Sequence, residues 1–214
     1  MINEIAAQKS ILIKQRRETI EILGFETRNK YEILTADGKS MGFAAEQQKG
    51  ILGILLRQVF GHWRRFDINI FDTERKLHFV ATHPFRFYFQ RLEVKDELGK
   101  IMGHLERQFS ILSKKFMVYN QNNEVSSSMY SGLFKIWTFP FKRNGKDIAK
   151  ISKKWGGVGR EVFFDADSFL LEFLDESLSP EEKVVLLNAA VFVDLMYFEN
   201  NQGASFNIFS MFRD

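Results

Sequence analysis

The residues best equipped for chemistry in this 214-residue chain are cations. Lys142, Arg143 and Lys146 crowd an Asn144-Gly145 pair, and Lys150, Lys153, Lys154 and Arg160 follow around the next strand and a Gly156-Gly157-Val158-Gly159 loop. Residues 135–160 hold eight Lys/Arg against one acid, Asp147, whereas 161–214 hold eleven acids against two bases. The net charge is only +3, so the sign is segregated rather than large. Segregation of this kind gives one anion-attracting face, and near a bilayer each Lys or Arg contributes about 1 kcal/mol of attraction to anionic headgroups. The same residues also suit the solvent side of strands, the ordinary place for a charge run.

Other reactive groupings are missing from the sequence. With no cysteine, thiol catalysis, thiolate metal sites and disulfides are excluded. The histidines His62, His78, His83 and His104 show no metal-ligand spacing such as H-E-x-x-H, and neither a G-x-S-x-G elbow nor a P-loop occurs. The glycine-rich loop after Trp155 lacks the strand, loop and helix context of a nucleotide fingerprint and reads as a wide turn. The expectation is a non-enzymatic protein.

A second binding surface is suggested by residues 47–60, where Ile51, Leu52, Ile54, Leu55, Leu56 and Val59 recur at three- and four-residue spacing, as on an amphipathic helix. Leu52, Leu55 and Leu56 would enter a membrane interface, Trp63 would sit at headgroup depth, and Arg57, Arg64 and Arg65 would face phosphates. An apolar stripe of this kind equally packs on its own domain.

These residues need a scaffold, and its pattern is β. Phe supplies 23 residues, and aromatic rings favour strands and fill wide interiors. Turn signals recur at Asp37-Gly38, 72–74, 96–99, 120–123 and Asn144-Gly145, the last suited to a type I′ hairpin. Between them the spacing predicts strands at 10–14, 19–24, 30–34, 40–45, 66–71, 77–83, 85–90, 92–95, 100–107, 115–119, 127–141 (one long or two broken), 147–153, 161–164 and 168–173. In the segment 85–90, Phe85, Phe87 and Phe89 alternate with polar residues, giving it an inside and an outside. A dozen or so strands in one meander must close on themselves to remove exposed edges.

One long helix breaks the pattern. Ser179 as N-cap, Pro180 at the first position and Glu182 completing a capping box start it, and apolar residues then cover nearly every side as far as Phe198. Only ten uncharged residues separate Lys183 from Asp194, fewer than the roughly 18 to 20 a bilayer requires. The helix is therefore expected inside a closed antiparallel barrel of about twelve strands, with a membrane segment as the second reading. The opening MINEIAAQKS carries Glu4 and no cleavage site, and the cysteine-free composition fits a reducing compartment, so a cytoplasmic protein is expected.

The chain resembles the phospholipid scramblase family within the tubby-like superfamily. The resemblance rests on Gly24-Phe25-Glu26-Thr27-x-Asn29-Lys30-Tyr31-Glu32-Ile33, on Gly38 and Phe43-Ala44-Ala45-Glu46, and on Lys150-Ile151-Ser152-Lys153-x-Trp155 with Arg160-Glu161. It continues through Phe164-Asp165-Ala166-Asp167-x-Phe169 to Asp194-Leu195-Met196-Tyr197-Phe198-Glu199. The matching pieces occur in family order over about 10–199, with 200–214 as a tail to a single domain spanning 1–214. The resemblance implies a twelve-stranded barrel closed around a hydrophobic C-terminal helix, and calcium-triggered, energy-independent movement of phospholipid between leaflets. Departures from the animal members are the absence of a proline-rich N-terminal extension and of the cysteine cluster used for palmitoyl attachment, which gives the chain a short, bacterial-type form.

The resemblance also implies a calcium site within residues 165–176. Asp165, Asp167 and Glu176 stand at positions one, three and twelve of an EF-hand-like stretch, with Glu172 and Asp175 as further oxygen donors. Position six, however, is Leu170 where such a loop needs Gly, and Phe169, Leu171 and Phe173 alternate as in a barrel strand. The alternation weighs toward a strand followed by an acidic loop.

Two functions follow. The first is a scramblase-related protein engaging anionic phospholipid membranes, peripheral at the inner face of the membrane. The alternative is a non-enzymatic module that binds phosphoinositide-like anions or a macromolecular partner through its basic face. Tubby-like relatives bind phosphoinositides, which adds weight to the headgroup reading. Mild net basicity without a recognition motif argues against nucleic acid.

Overall fold

The computed structural model describes residues 1–16, 29–47, 65–84, 90–109, 113–132, 138–153 and 168–197. Among these, twelve antiparallel strands close into one barrel in which every strand pairs with its sequence neighbours and β1 pairs with β12. The strands are β1 Ser10–Arg16, β2 Lys30–Thr35, β3 Ser40–Gln47, β4 Phe66–Asp72, β5 Leu77–His83 and β6 Arg91–Asp96. They continue as β7 Ile101–Arg107, β8 Ser113–Asn120, β9 Val125–Gly132, β10 Thr138–Arg143, β11 Lys146–Lys153 and β12 Ser168–Phe173. A short helix, α1 Ile2–Ala6, precedes β1, and α2 Pro180–Tyr197 follows β12. The predicted stretch 127–141 is two strands, β9 and β10. Gln47, read as the start of a helix, is instead the last residue of β3, paired with Asp67. The predicted strands at 19–24 and 161–164, and the Phe85, Phe87, Phe89 alternation, lie outside the described residues.

Up-and-down connection gives the barrel two unlike ends. At one end the hairpins after β2, β4, β6 and β8 share a turn design: the residue leaving the strand accepts from the N–H three positions on, and its own N–H donates to the carbonyl four positions on, as Asp72 does with Arg75 and Lys76 at 3.0 Å each. Asp72, Asp96 and Asn120 also turn a side-chain oxygen onto the N–H groups two and four residues ahead, at 2.8–3.0 Å. Their short polar side chains replace backbone partners that a tight turn lacks. At the same end Asn144 and Gly145 adopt φ of 50° and 79°, the pair of positive angles a type I′ turn requires. At the opposite end β3 stops at Gln47 and β4 begins at Phe66.

The interior is filled by α2. Eighteen helical residues measure about 27 Å, comparable with the strands around them. From Val184 to Met196 each side chain is at most 6% exposed. Phe192 meets Phe66 on β4, His83 on β5 and Phe116 on β8, while Asp194 reaches Tyr31 on β2, so strands from opposite sides of the wall touch one helix. A helix apolar all round has no solvated face, and enclosure satisfies every side at about 1.5–3 kcal/mol per large apolar side chain. Among the described residues no helix is long and apolar enough to cross a membrane.

Candidate functional site

The β10–β11 hairpin sorts the predicted cations. Its two-residue turn places Lys142, Arg143 and Lys146 within one tip, but the side chains have different fates. Lys146 is exposed, and Lys142 is about half exposed, 3.3 Å from the Asp147 carboxylate. Arg143 instead turns along the barrel: its Nε donates to the Ser126 carbonyl at 2.9 Å, and Nη2 donates to Ser126 Oγ at 3.2 Å and to the Glu182 carboxylate. Glu182 accepts the Ser126 hydroxyl as well, and its other oxygen takes the Ser179 N–H at 2.9 Å while Ser179 Oγ accepts the Glu182 N–H at 3.1 Å. The predicted capping box is thus also a clamp holding the start of α2 to β9 and β10.

Farther along the same wall, Lys150 pairs with Glu172 at 2.8 Å, and Lys153 lies 4.9 Å above the Phe169 ring. Lys154 and Arg160 lie outside the described residues. Of the headgroup candidates, Lys142 and Lys146 present their charges at the hairpin end, Lys150 is neutralised on the wall, and Arg143 is committed to the helix.

The proposed calcium stretch has strand β12 at its centre. Leu170 pairs with Leu12 on one side and Ser152 on the other, in an extended ladder rather than the sharp turn an EF-hand loop needs at that position. Phe169, Leu171 and Phe173 are buried in alternation, and Glu172 points the other way to Lys150. The six residues of β12 are extended over about 20 Å. Asp165 and Asp167 themselves lie outside the described residues. Asp175 and Glu176 fall beside the basic hairpin, the Asp175 N–H donating to the Ile148 carbonyl at 3.1 Å. The Ser177 N–H donates to the Asp175 carboxylate at 2.9 Å, and with the Ser177 hydroxyl and the charges of Arg143 and Lys146 it holds that carboxyl below the usual range. Among the described residues no group of three or more His, Asp or Glu is placed to hold a metal ion.

Of the membrane-interface candidates, Leu52, Leu55, Leu56, Arg57, Trp63 and Arg64 lie outside the described residues. Arg65 is exposed immediately before β4, at the end of the barrel opposite the β10–β11 hairpin.

Three tethers of α2 escape sequence reasoning. Besides Arg143 with Glu182, Lys183 donates to the carbonyls of Ala6 and Gln8 at 2.6 and 3.0 Å with its ammonium 4.8 Å above the Phe173 ring, and Tyr31 donates to Asp194 at 2.7 Å. The sequence signal was the presence of Glu182, Lys183 and Asp194 on a largely apolar helix, charges that call for partners without naming them.

A closed antiparallel barrel of twelve strands around a C-terminal helix tied at both ends defines a mainly β, helix-filled barrel class. The family model named Scramblase matches residues 1–200, and the chain belongs to that family. Phospholipid scramblase 1 of Homo sapiens is 31% identical over 207 residues, covering 89% of this chain and 63% of that protein. Phospholipid scramblase 2 of Bos taurus is 31% identical, covering 90% and 69%, and phospholipid scramblase family member 5 of Homo sapiens is 30% identical, covering 89% and 74%. The chain therefore spans less than two thirds of the length of the first of these relatives. No solved structure matches it.

Proposed function

We propose that this protein is a peripheral, scramblase-related barrel that engages anionic phospholipid from the cytoplasmic side of a membrane. The observation that carries the reading is the enclosure of α2: with the apolar helix sheathed and tethered at both ends, lipid has to be met by the outer surface of the barrel. The exposed Lys142 and Lys146, and the family relationship to phospholipid scramblases, support a headgroup partner. If lipids are exchanged between leaflets, the polar route they need does not run through the barrel axis, which α2 fills. The protein would act by thinning and disordering the leaflet against which it docks. Calcium would act on such docking through surface acids such as Asp175 and Glu176 rather than through an EF-hand loop.

Reconstitution tests the activity: dithionite quenching of headgroup-labelled lipid in vesicles, with and without calcium, should exceed the protein-free rate. Equal rates in all arms remove the scrambling activity. Flotation with phosphatidylcholine vesicles, with and without phosphatidylserine, tests the membrane reading separately, and indifference to lipid charge removes it. The alternative, a module for phosphoinositide-like anions or a macromolecular partner, draws on the same two lysines. It is the reading to adopt if soluble inositol phosphates bind while vesicles of either composition do not.

A further inference from the structure

The outer surface of the barrel is not uniform in charge. Residues 107–143 contain six Lys/Arg and one acid, Glu124, which sits in the β8–β9 turn. As a result β8, β9 and β10 carry no carboxylate, and they are the only three consecutive strands of the described barrel without one. Elsewhere β1 and β5 lack acids, but each lies between strands that carry them, and surface cations there are matched by Glu32, Glu93, Glu106 or Glu172.

Apolar exposure accumulates on the same wall. Lys115 and Tyr130 are directly opposed across β8 and β9 on the face away from the core, and Tyr130 is 57% exposed. Phe109 follows β7 at the edge of this pair, tied there by the Gln108 N–H donating to the Lys115 carbonyl at 2.9 Å, and is 79% exposed. One step along, Lys142 is paired with Ser128. The nearest acid on the neighbouring strand, Glu106, is held by Arg91 at 3.2 Å. A Phe and a Tyr in water beside the exposed Lys115, on strands that carry no carboxylate, form an amphipathic surface in which the rings suit the headgroup–acyl boundary and the cation suits lipid phosphates.

We infer that the β8–β9 wall, through Phe109, Lys115 and Tyr130, is the face that docks on an anionic phospholipid bilayer. The inference rests on the membrane reading above and adds the face. Docking is side-on: the wall runs along the barrel, so the barrel axis and the enclosed helix lie along the membrane rather than across it. Neither the basic hairpin tip nor the residues 52–65 is required for it.

The absence of cysteine gives a direct test, because Tyr130→Cys and, separately, Leu98→Cys each create one labelling site on the full chain for an environment-sensitive dye. Leu98, 89% exposed in the β6–β7 turn, is the control at the hairpin end. With vesicles of phosphatidylcholine and phosphatidylserine, the dye at position 130 should shift to the blue and be quenched by lipid-borne quencher, and the dye at 98 should not. The triple substitution Phe109→Ser, Lys115→Glu, Tyr130→Ser should weaken vesicle partitioning about tenfold or more with the unfolding transition unchanged. Wild-type binding with both dyes silent, with the dye at 98 responding instead, or with the triple variant binding normally overturns the face and leaves the membrane reading intact. Failure of wild-type protein to bind any vesicle overturns both, as does retention by nucleic acid alone.

Discussion

Tyr31 and Asp194 are 163 residues apart in sequence and 2.7 Å apart in the barrel, the phenol donating to a carboxylate on the helix, with each residue 1% exposed. This bond joins the first half of the wall to the last turns of α2. With the tethers at Glu182 and Lys183 near the start of α2, it fixes the rotation of the helix inside the barrel. Hydrogen bonds to charged groups contribute about 1.5–3 kcal/mol, more than neutral ones. Tyr31→Phe should therefore lower stability by about that amount, read as a lower urea midpoint at unchanged slope. A loss under about 0.5 kcal/mol would show that Asp194 is adequately held without the phenol.

At the other end of α2, Arg143 and Glu182 form the clamp, with side chains 28% and 16% exposed. Partial exposure tempers the electrostatic gain, but the shared Ser126 and the capping box couple the two residues to a helix start. A double-mutant cycle with Arg143→Ala and Glu182→Ala should return a coupling energy of about 0.5–1.5 kcal/mol. Additive losses would mean that the pair is incidental. Lys146→Glu should leave stability unchanged.

His104 is 3% exposed and stacks on Tyr119 at 4.4 Å between centroids. Burial, with the charge of Arg91 next, holds its pKa below the ordinary 6.5, against the opposing pull of Glu106 and Glu93. The unfolded chain thus binds this proton more readily than the native one. Stability contributed by the neutral ring is complete above about pH 6.5 and declines as pH falls toward the folded value. His104→Gln should flatten stability against pH between about 7 and 5.5 relative to wild type. An identical slope in the two proteins would remove His104 from the acid response.

Gly103 and Gly42 lie where strands approach too closely for a side chain. A Cβ on Gly103 would stand 2.4 Å from the Tyr119 carbonyl oxygen and 3.0 Å from Val185 on α2, and one on Gly42 would stand 2.1 Å from the Phe71 carbonyl oxygen. Backbone cannot retreat from such a contact without breaking its ladder. Gly103→Ala and Gly42→Ala should each cost about 2–4 kcal/mol in thermal or urea unfolding. Gly132→Ala, with nothing within 4 Å, is the neutral comparison.

The sequence by itself determined the elements. Alternating Phe and aliphatic residues give one buried face per strand, Asp, Asn and Gly at regular intervals supply turns that need side-chain acceptors or positive φ, and Ser179-Pro180 with Glu182 starts α2 where capping chemistry requires. An all-apolar helix too short to span a bilayer had to lie inside protein, and a dozen strands in a meander had to close. These are local patterns and totals, which a linear chain records directly. Which cations stay exposed at the tip was decided only by the tertiary structure: Lys142, Arg143 and Lys146 look equivalent in sequence, yet Glu182, 39 residues after Arg143, takes that side chain out of the site. Leu170, where a calcium loop needs its sharp turn, is instead held extended by ladder pairing with β1 and β11, partners that only the closed barrel supplies. Charge balance on a face is likewise a property of neighbouring strands, so the acid-free wall of β8 to β10 becomes a surface only once the barrel sets those strands side by side.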